Sequence, residues 1–390
     1  MKTLSVVGAR PQFVKAAMLC VAIQRHNQRA KSGKRIRHVL IHTGQHYDRN
    51  LSDIFFDQLP LPKPEYWLGV GSGTHGSQTA AMLKRVESVL FKEKPDVVVV
   101  YGDTNSAIAG SLAASKLQIP VAHVEAGLRS FNRLMPEEVN RIATDHISDL
   151  HFCPTRTAVR NLKNEGISRG VHLTGDVMLD AVREFRPLAQ CQNLLTELGI
   201  GSKQYALVTI HRAENTDSRQ RLQFVVDVLT RVGLPIIFPM HPRLRNRLAQ
   251  FASYRALDRK LKSVRDLHIL PPVSYLDMLL LEDNARLVLT DSGGVQKEAY
   301  FLSVPCVTLR DETEWLETLR GGWNRLSSRS ASETVATVRS LWSGKGLRPK
   351  GRPDLASFGG GKGAENTLAA LLGNFGRKNP KKNMAAGSEP

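Results

Sequence analysis

The chain has 390 residues, 42% of them hydrophobic, with four cysteines and a formal net charge of +18. That length exceeds one ordinary core and suits two domains. No run approaches the roughly 20 apolar residues of a membrane span, and Met1 leads straight into KTLSVVGAR instead of a secretory leader, so a soluble, cytoplasmic protein is expected.

Cys20, Cys153, Cys191 and Cys306 lie far apart with no CxxC pair, and read as reduced, mostly buried thiols. The surplus charge raises nucleic acid and anionic membrane as partners. Its distribution argues against both. Ser343 to Pro390 holds nine Lys/Arg against three Asp/Glu, and HPRLRNRLAQFASYRALDRKLKSVRD holds eight against two. Neither stretch interleaves base-stacking aromatics, and no zinc-finger or RNP pattern occurs. A solvated basic face beside a site for a small anion is the favoured reading.

In chain order, apolar runs recur as TLSVVGARP, HVLIHTGQ, DVVVVYGDT, PVAHVEAG, YALVTIHR, PIIFPMHP, ARLVLTDSGG and PCVTLRD, each followed by a turn and a helix-like segment. Strands alternating with amphipathic helices predict a doubly wound α/β protein whose parallel sheets are covered on both faces. Arg10, Gln45, Asp103, Glu125, His211, His241, Ser292 and Arg310 each stand just after a strand. Ligands of open parallel sheets bind beyond the carboxyl ends of the strands, so these residues are expected to converge. A first domain is expected over 1–181 and a second over 182–363, with a final helix over 364–375 and a disordered basic tail over 376–390.

Four stretches carry the chemistry. In TDSGGVQKEA, the first-turn N–H groups of a helix lack internal partners and suit a phosphate at Ser292, Gly293 and Gly294. Glu298, one turn on, could take both hydroxyls of a ribose. An ordinary strand-to-helix turn is the bland alternative. In GARPQFVK, Arg10 could stabilise a departing phosphate, with Pro11 suited to the first helical position and Lys15 one turn further. Asp103, Glu125 and Glu137 form a carboxylate set of the kind that makes general acids and bases. For Glu137 and Glu138 the alternative is helix N-terminal charge. His211 and His241 follow strands of the second domain, where histidines meet phosphates. GARPQFVK carries no GxGxxG, and no P-loop, HExxH or GxSxG pattern occurs, so neither NAD, a metal nor a serine nucleophile is expected. His42, His46, His146 and His151 leave metal as a minority reading.

In order, GARPQFVK, TGQHYD, YGDTNS, HVEAGLRS, MPEEVNR, TIHRAEN, HPR, LTDSGGVQKEA and LRDETEW resemble the motifs of the non-hydrolysing UDP-N-acetylglucosamine 2-epimerases, from about Lys2 to the final helix. The resemblance implies a GT-B fold, two Rossmann-like domains facing across a cleft, with the last helix returning to the first domain. It implies that Arg10, Lys15, Asp103, Glu125, Glu137 and His211 surround the diphosphate and sugar. His241, Ser292, Gly293, Gly294, Glu298 and Arg310 would bind UDP, without a cofactor. It also implies a homodimer, a role in polysaccharide biosynthesis, and an allosteric pocket drawing on Gln45 and His46. Met278 stands where family members often carry an aromatic residue on the uracil side. ETEWLETLRGGWNRL is similar to relatives acting on 2,3-diacetamido uronates. The alternatives are a hydrolysing 2-epimerase, a GT-B glycosyltransferase and, outside enzymes, a UDP-sugar sensor.

Overall fold

The computed structural model describes residues 1–45, 56, 58–250, 254–327 and 330–376. The chain forms two compact units, Met1–Val177 with the chain from Gly359 onward, and Met178–Phe358. In the first, β1 (Lys2–Val7), β2 (Arg37–His42), β3 (Tyr66–Trp67), β4 (Val97–Tyr101), β5 (Val121–Val124), β6 (Leu150–Cys153) and β7 (Val171–Leu173) make one sheet. Its order is β3-β2-β1-β4-β5-β6-β7, and every pairing is parallel.

The second unit holds β8 (Ala206–Thr209), β9 (Ile236–Pro239), β10 (Leu267–Leu270), β11 (Leu287–Thr290), β12 (Cys306–Thr308) and β13 (Asn324–Leu326). The order β10-β9-β8-β11-β12-β13 is again all parallel. Each sheet therefore reverses its strand order once, between β1 and β4 in one unit and between β8 and β11 in the other. Crevices outside the strand ends at such switch points are where doubly wound sheets bind ligands.

Burial explains the strands. All five residues of VVVVY in β4 are buried, as a central parallel strand covered on both faces requires. Each fully buried valine contributes about 1.5–3 kcal/mol. Over β4 lies the helix Asn105–Lys116, started by Thr104, whose hydroxyl accepts from the Ala107 N–H. Its small residues permit close approach: a Cβ on Gly110 would lie 3.2 Å from Val100 and Val6. The last helix, Gly363–Phe375, packs on the helix Arg10–Arg29 within the first unit, and Asn366 donates to the Thr174 carbonyl at 2.8 Å. No described helix is long and apolar enough to cross a membrane.

The eight strands expected from apolar runs all form, and five others, β3, β6, β7, β10 and β13, join them. Four of these five are edge strands or short and partly exposed, so they need no Val/Ile/Leu run. β6 is different: LHFC is fully buried, and its histidine is accommodated because His151 Nε2 meets the Asp145 carbonyl at 2.7 Å.

One buried group of the second unit costs stability. Glu282, on the helix Tyr275–Asn284, is 0% exposed, and neither carboxyl oxygen has a hydrogen-bond partner among the described residues. Burial, reinforced by Glu298 and Asp283, pushes its carboxyl well above the ordinary 4.5. The folded chain thus holds a proton that the unfolded chain releases above about pH 4.5, so stability falls as pH rises toward the raised value. Glu282→Gln removes this loss. Its advantage in unfolding free energy over the parent should grow by about 1.4 kcal/mol or more, one pKa unit's worth, between pH 5 and pH 8. A pH-independent difference in denaturant titrations would sink the assignment.

Candidate active site

In the first unit, the residues expected after strands stand one to three positions beyond β1, β2, β4 and β5. The β1 turn is built by Gln12, whose Oε1 accepts from the Gly8 and Ala9 N–H groups at 2.8 and 3.1 Å. Gly8 must be glycine, since a Cβ would lie 2.1 Å from Thr43 Oγ1 and 2.2 Å from Ser106 Oγ. This turn launches Arg10 and Pro11 into the helix Arg10–Arg29. Burial lowers the Arg10 guanidinium below its ordinary value, but a group that titrates so high stays cationic.

One turn along, Lys15 is buried and ion-paired with Glu125, itself buried just past β5. Glu125 has a φ of +71°, a left-handed conformation that costs a non-glycine residue about 1–3 kcal/mol and persists only where the surroundings enforce it. Gly102, beside it, also has positive φ. A Cβ there would lie 3.1 Å from both Glu125 Oε2 and Lys15 Nζ.

Asp103 follows, with Oδ2 2.5 Å from Arg141 Nη2. Arg141 is fully buried and its other arm grips Glu138. The two glutamates of MPEEVNR therefore separate in role. Glu138 is buried, accepting from the N–H groups of Ser130 and Phe131 at 3.0 and 2.9 Å, and so ties down the preceding loop. Glu137 is partly exposed at the start of the helix Pro136–Ile147 and makes no hydrogen bond or ion pair with a described residue.

Gln45 accepts from Ser106 N and Oγ at 3.1 and 2.7 Å, linking the end of β2 to the helix Asn105–Lys116. His46 lies outside the described residues. His42 is a packing residue, stacked between Phe13 and Trp67 at ring distances of 4.9 and 3.9 Å.

In the second unit, Asp291 organises the switch point. It is 0% exposed and accepts from His211 N, Arg212 N and Asn215 Nδ2 at 3.0–3.2 Å, locking the turn after β8 to the end of β11. His211 Nδ1 is 3.3 Å from the same carboxylate, which orients the half-exposed ring. The His241 ring is 5.8 Å away, so the two histidines are neighbours.

Ser292 caps the helix Gly293–Phe301, accepting from Val295 N at 3.4 Å. The glycines that follow are unlike. A Cβ on Gly293 would lie 2.3 Å from Glu314 Oε1 and 3.2 Å from Trp315 Nε1, whereas one on Gly294 would meet nothing closer than Ser292 Oγ at 3.8 Å. Packing dictates the first glycine. The second leaves the helix start bare.

Glu298 is buried one turn on, close enough to the buried Tyr275 for its charge to add to burial in pushing the phenol upward. Arg310 is 0% exposed and donates to Glu314 Oε2 at 2.9 Å, while Arg212 reaches Glu314 Oε1 at 3.2 Å. The Arg310 charge is thus engaged by Glu314 behind Gly293, not presented at the surface.

Sequence reasoning missed Gln12, Asn140, Arg141, Asp291 and Glu314. Arg141 had a signal, since Glu138 and Arg141 are spaced to pair on one helix face. Asp291 had another: a carboxylate ending an apolar strand must find donors.

Two parallel sheets in Rossmann order, each with its polar residues gathered at the switch point, define the GT-B class. A family model described as UDP-N-acetylglucosamine 2-epimerase matches residues 28–372. A UDP-N-acetylglucosamine 2-epimerase homolog of Methanococcus maripaludis is 53% identical over 87% of this chain and 92% of its own. The UDP-2,3-diacetamido-2,3-dideoxy-D-glucuronate 2-epimerase of Pseudomonas aeruginosa is 45% identical over 95% and 99%. The crystal structure of Methanocaldococcus jannaschii UDP-GlcNAc 2-epimerase in complex with UDP-GlcNAc and UDP superposes with a TM-score of 0.86, at 43% identity and coverage of 95% and 99%. The chain belongs to the UDP-N-acetylglucosamine 2-epimerase family.

Proposed function

We propose that the chain interconverts UDP-N-acetylglucosamine and UDP-N-acetylmannosamine without hydrolysis. The observation that carries this reading is the pair of carboxylates just past β4 and β5, each held by its own cation: Asp103 by Arg141 and Glu125 by Lys15. A glycosyltransferase or a sensor has no need of a proton-transfer set built this way.

The C2 proton of an acetamido sugar is not acidic. If the C1–O bond breaks first, the electron pair leaves with UDP, and the cationic character at C1 makes C2–H removable. A carboxylate takes the proton, and the C–H pair becomes the C1=C2 bond of a 2-acetamidoglucal. A proton then reaches C2 from the other face, and a diphosphate oxygen recaptures C1. The cycle is redox-neutral and closes without a cofactor. It needs a base and an acid on opposite faces, roles shared among Asp103, Glu125 and Glu137.

The developing charge on UDP falls to Arg10, His211 and the N–H groups at the Ser292–Gly294 helix start. Glu298 takes the ribose hydroxyls, His241 the diphosphate side, and Met278 packs its thioether on the base. Arg310 acts by fixing Glu314. A homodimer, a cytoplasmic location and supply of a surface polysaccharide belong to the same proposal.

Incubation with UDP-N-acetylglucosamine in deuterium oxide, followed by NMR, tests it. A C2 epimer still linked to UDP and carrying deuterium at C2 is expected. Accumulation of free sugar would instead indicate a hydrolysing 2-epimerase, and turnover without C2 deuterium would rule out the proton transfer. The 45% identity to the diacetamido-glucuronate enzyme favours one second substrate, the 2,3-diacetamido uronate. Offering both nucleotide sugars together decides between them by their kcat/KM values.

A further inference from the structure

Three successive carbonyls run through the turn that carries Asp103, and each receives a side-chain donor from a different element. Gln12 Nε2 of the first helix donates to Tyr101 O at 2.8 Å, and Asn140 Nδ2 of the helix Pro136–Ile147 to Asp103 O at 3.0 Å. Between them, His123 Nε2 of β5 meets Gly102 O at 2.8 Å. The Gly102 N–H is spent on β5 as well, donating to Val124 O at 2.9 Å. Both backbone polar groups of Gly102 are thus tied to the strand that carries Glu125 at its end.

The His123 ring is fully buried, and its Nδ1 is 2.7 Å from Asp145 Oδ1. Both ring nitrogens therefore lie within hydrogen-bond distance of an oxygen, Asp145 Oδ1 on one side and Gly102 O on the other. Asp145 is held from its other side by Arg129 Nη1 at 2.7 Å and Gly127 N at 3.1 Å, and Arg129 in turn by Glu165. Burial works to raise the Asp145 carboxyl, yet His123 and Arg129 together bring it below its ordinary value. An apolar residue would serve β5 equally well as a strand, since VAHV is buried throughout. A buried ionic chain in its place calls for something that it holds.

We infer that His123 is a positioning residue: by gripping the Gly102 carbonyl from β5, it fixes Asp103 relative to Glu125 for proton transfer at C2. The inference rests on the reading given under Proposed function.

Two substitutions separate the two ring contacts. His123→Gln places an amide near the Nε2 position and keeps the Gly102 contact, leaving Asp145 to Arg129 and Gly127. His123→Asn keeps the Asp145 contact and loses Gly102. Amide hydrogen exchange of the 102–105 segment should match the parent in His123→Gln and speed up in His123→Asn. C2 epimerisation should stay within about 10-fold in the first and fall about 100-fold in the second, the loss typical of a catalytic group misplaced by an ångström. UDP affinity should hold in both.

A purely structural ion pair predicts the opposite ranking, and that ranking, or equal behaviour of the two variants, overturns the inference. If the parent inverts no C2 centre, the proposed function falls, and hydrogen exchange still decides whether His123 holds the turn. Should His123→Asn fail to fold, Asp145→Asn stands in. It leaves the Gly102 contact intact and is expected within about 10-fold of parent turnover; a 100-fold loss there would overturn the assignment.

Discussion

Replacing Glu125 with glutamine is expected to slow C2 epimerisation about a thousand-fold, within the range for removal of a general acid or base, while UDP affinity changes less than about three-fold. The expectation follows from what surrounds the side chain. Glu125 sits past β5 in a left-handed conformation, buried against Lys15, with Gly102 allowing both to approach. Glutamine preserves shape, and its amide oxygen can still accept from Lys15, so the fold should survive. The group that can exchange a proton is gone. Glu125→Ala is a different experiment: it strands a buried lysine without a counter-ion, which costs about 3–5 kcal/mol, and any loss of rate would be mixed with unfolding. Rate measurements on the Gln variant, with thermal unfolding alongside, separate the effects. Parent-like turnover of a folded Glu125→Gln enzyme would remove Glu125 from the chemistry and leave the proton work to Asp103 and Glu137.

The same residues show what a sequence discloses and what it withholds. Val97–Tyr101 announces a central strand because both its faces are buried, and the position of Asp103 and Glu125 just past such strands follows from the fold class alone. β7 and β13 gave no such sign, because edge strands tolerate the polar, partly exposed residues they contain. At the site, motif spacing located the carboxylates but not their partners. Lys15 and Glu125 are 110 positions apart, and nothing local in either marks a shared pair. Arg141 and Asp103 are 38 positions apart, joined only once the helix Pro136–Ile147 packs beside the β4 turn. MPEEVNR offered two adjacent glutamates with one composition-based meaning. Burial distinguishes them, since Glu138 is consumed by Ser130, Phe131 and Arg141 while Glu137 stays partly exposed. Arg310, just after β12, is fully buried and paired with Glu314.

Gly293→Ala and Gly294→Ala are expected to fail in different ways, though they are adjacent and chemically identical. A methyl on Gly293 would lie 2.3 Å from Glu314 Oε1, and the carboxylate cannot swing aside freely because Arg212 and Arg310 hold its two oxygens. Trp315, 2% exposed, closes the other side at 3.2 Å. Overpacking of this kind costs about 1–3 kcal/mol, so Gly293→Ala should unfold at lower temperature. Gly294→Ala meets only ordinary contacts, 3.8 Å from Ser292 Oγ and 4.0 Å from Glu298 Oε2. In a helix alanine is favoured over glycine by about 1 kcal/mol, so thermal stability should hold or rise. The methyl would instead cover the helix start proposed to receive the diphosphate. Loss of one or two charge-assisted N–H contacts, each worth about 1.5–3 kcal/mol, corresponds to UDP binding at least about 10-fold weaker. Calorimetric titration with UDP and a thermal melt on each variant give four numbers. A Gly294→Ala protein that is stable and binds UDP like the parent would return this helix start to an ordinary strand-to-helix turn. A stable protein without UDP affinity would identify the second glycine as the one kept bare for the leaving group.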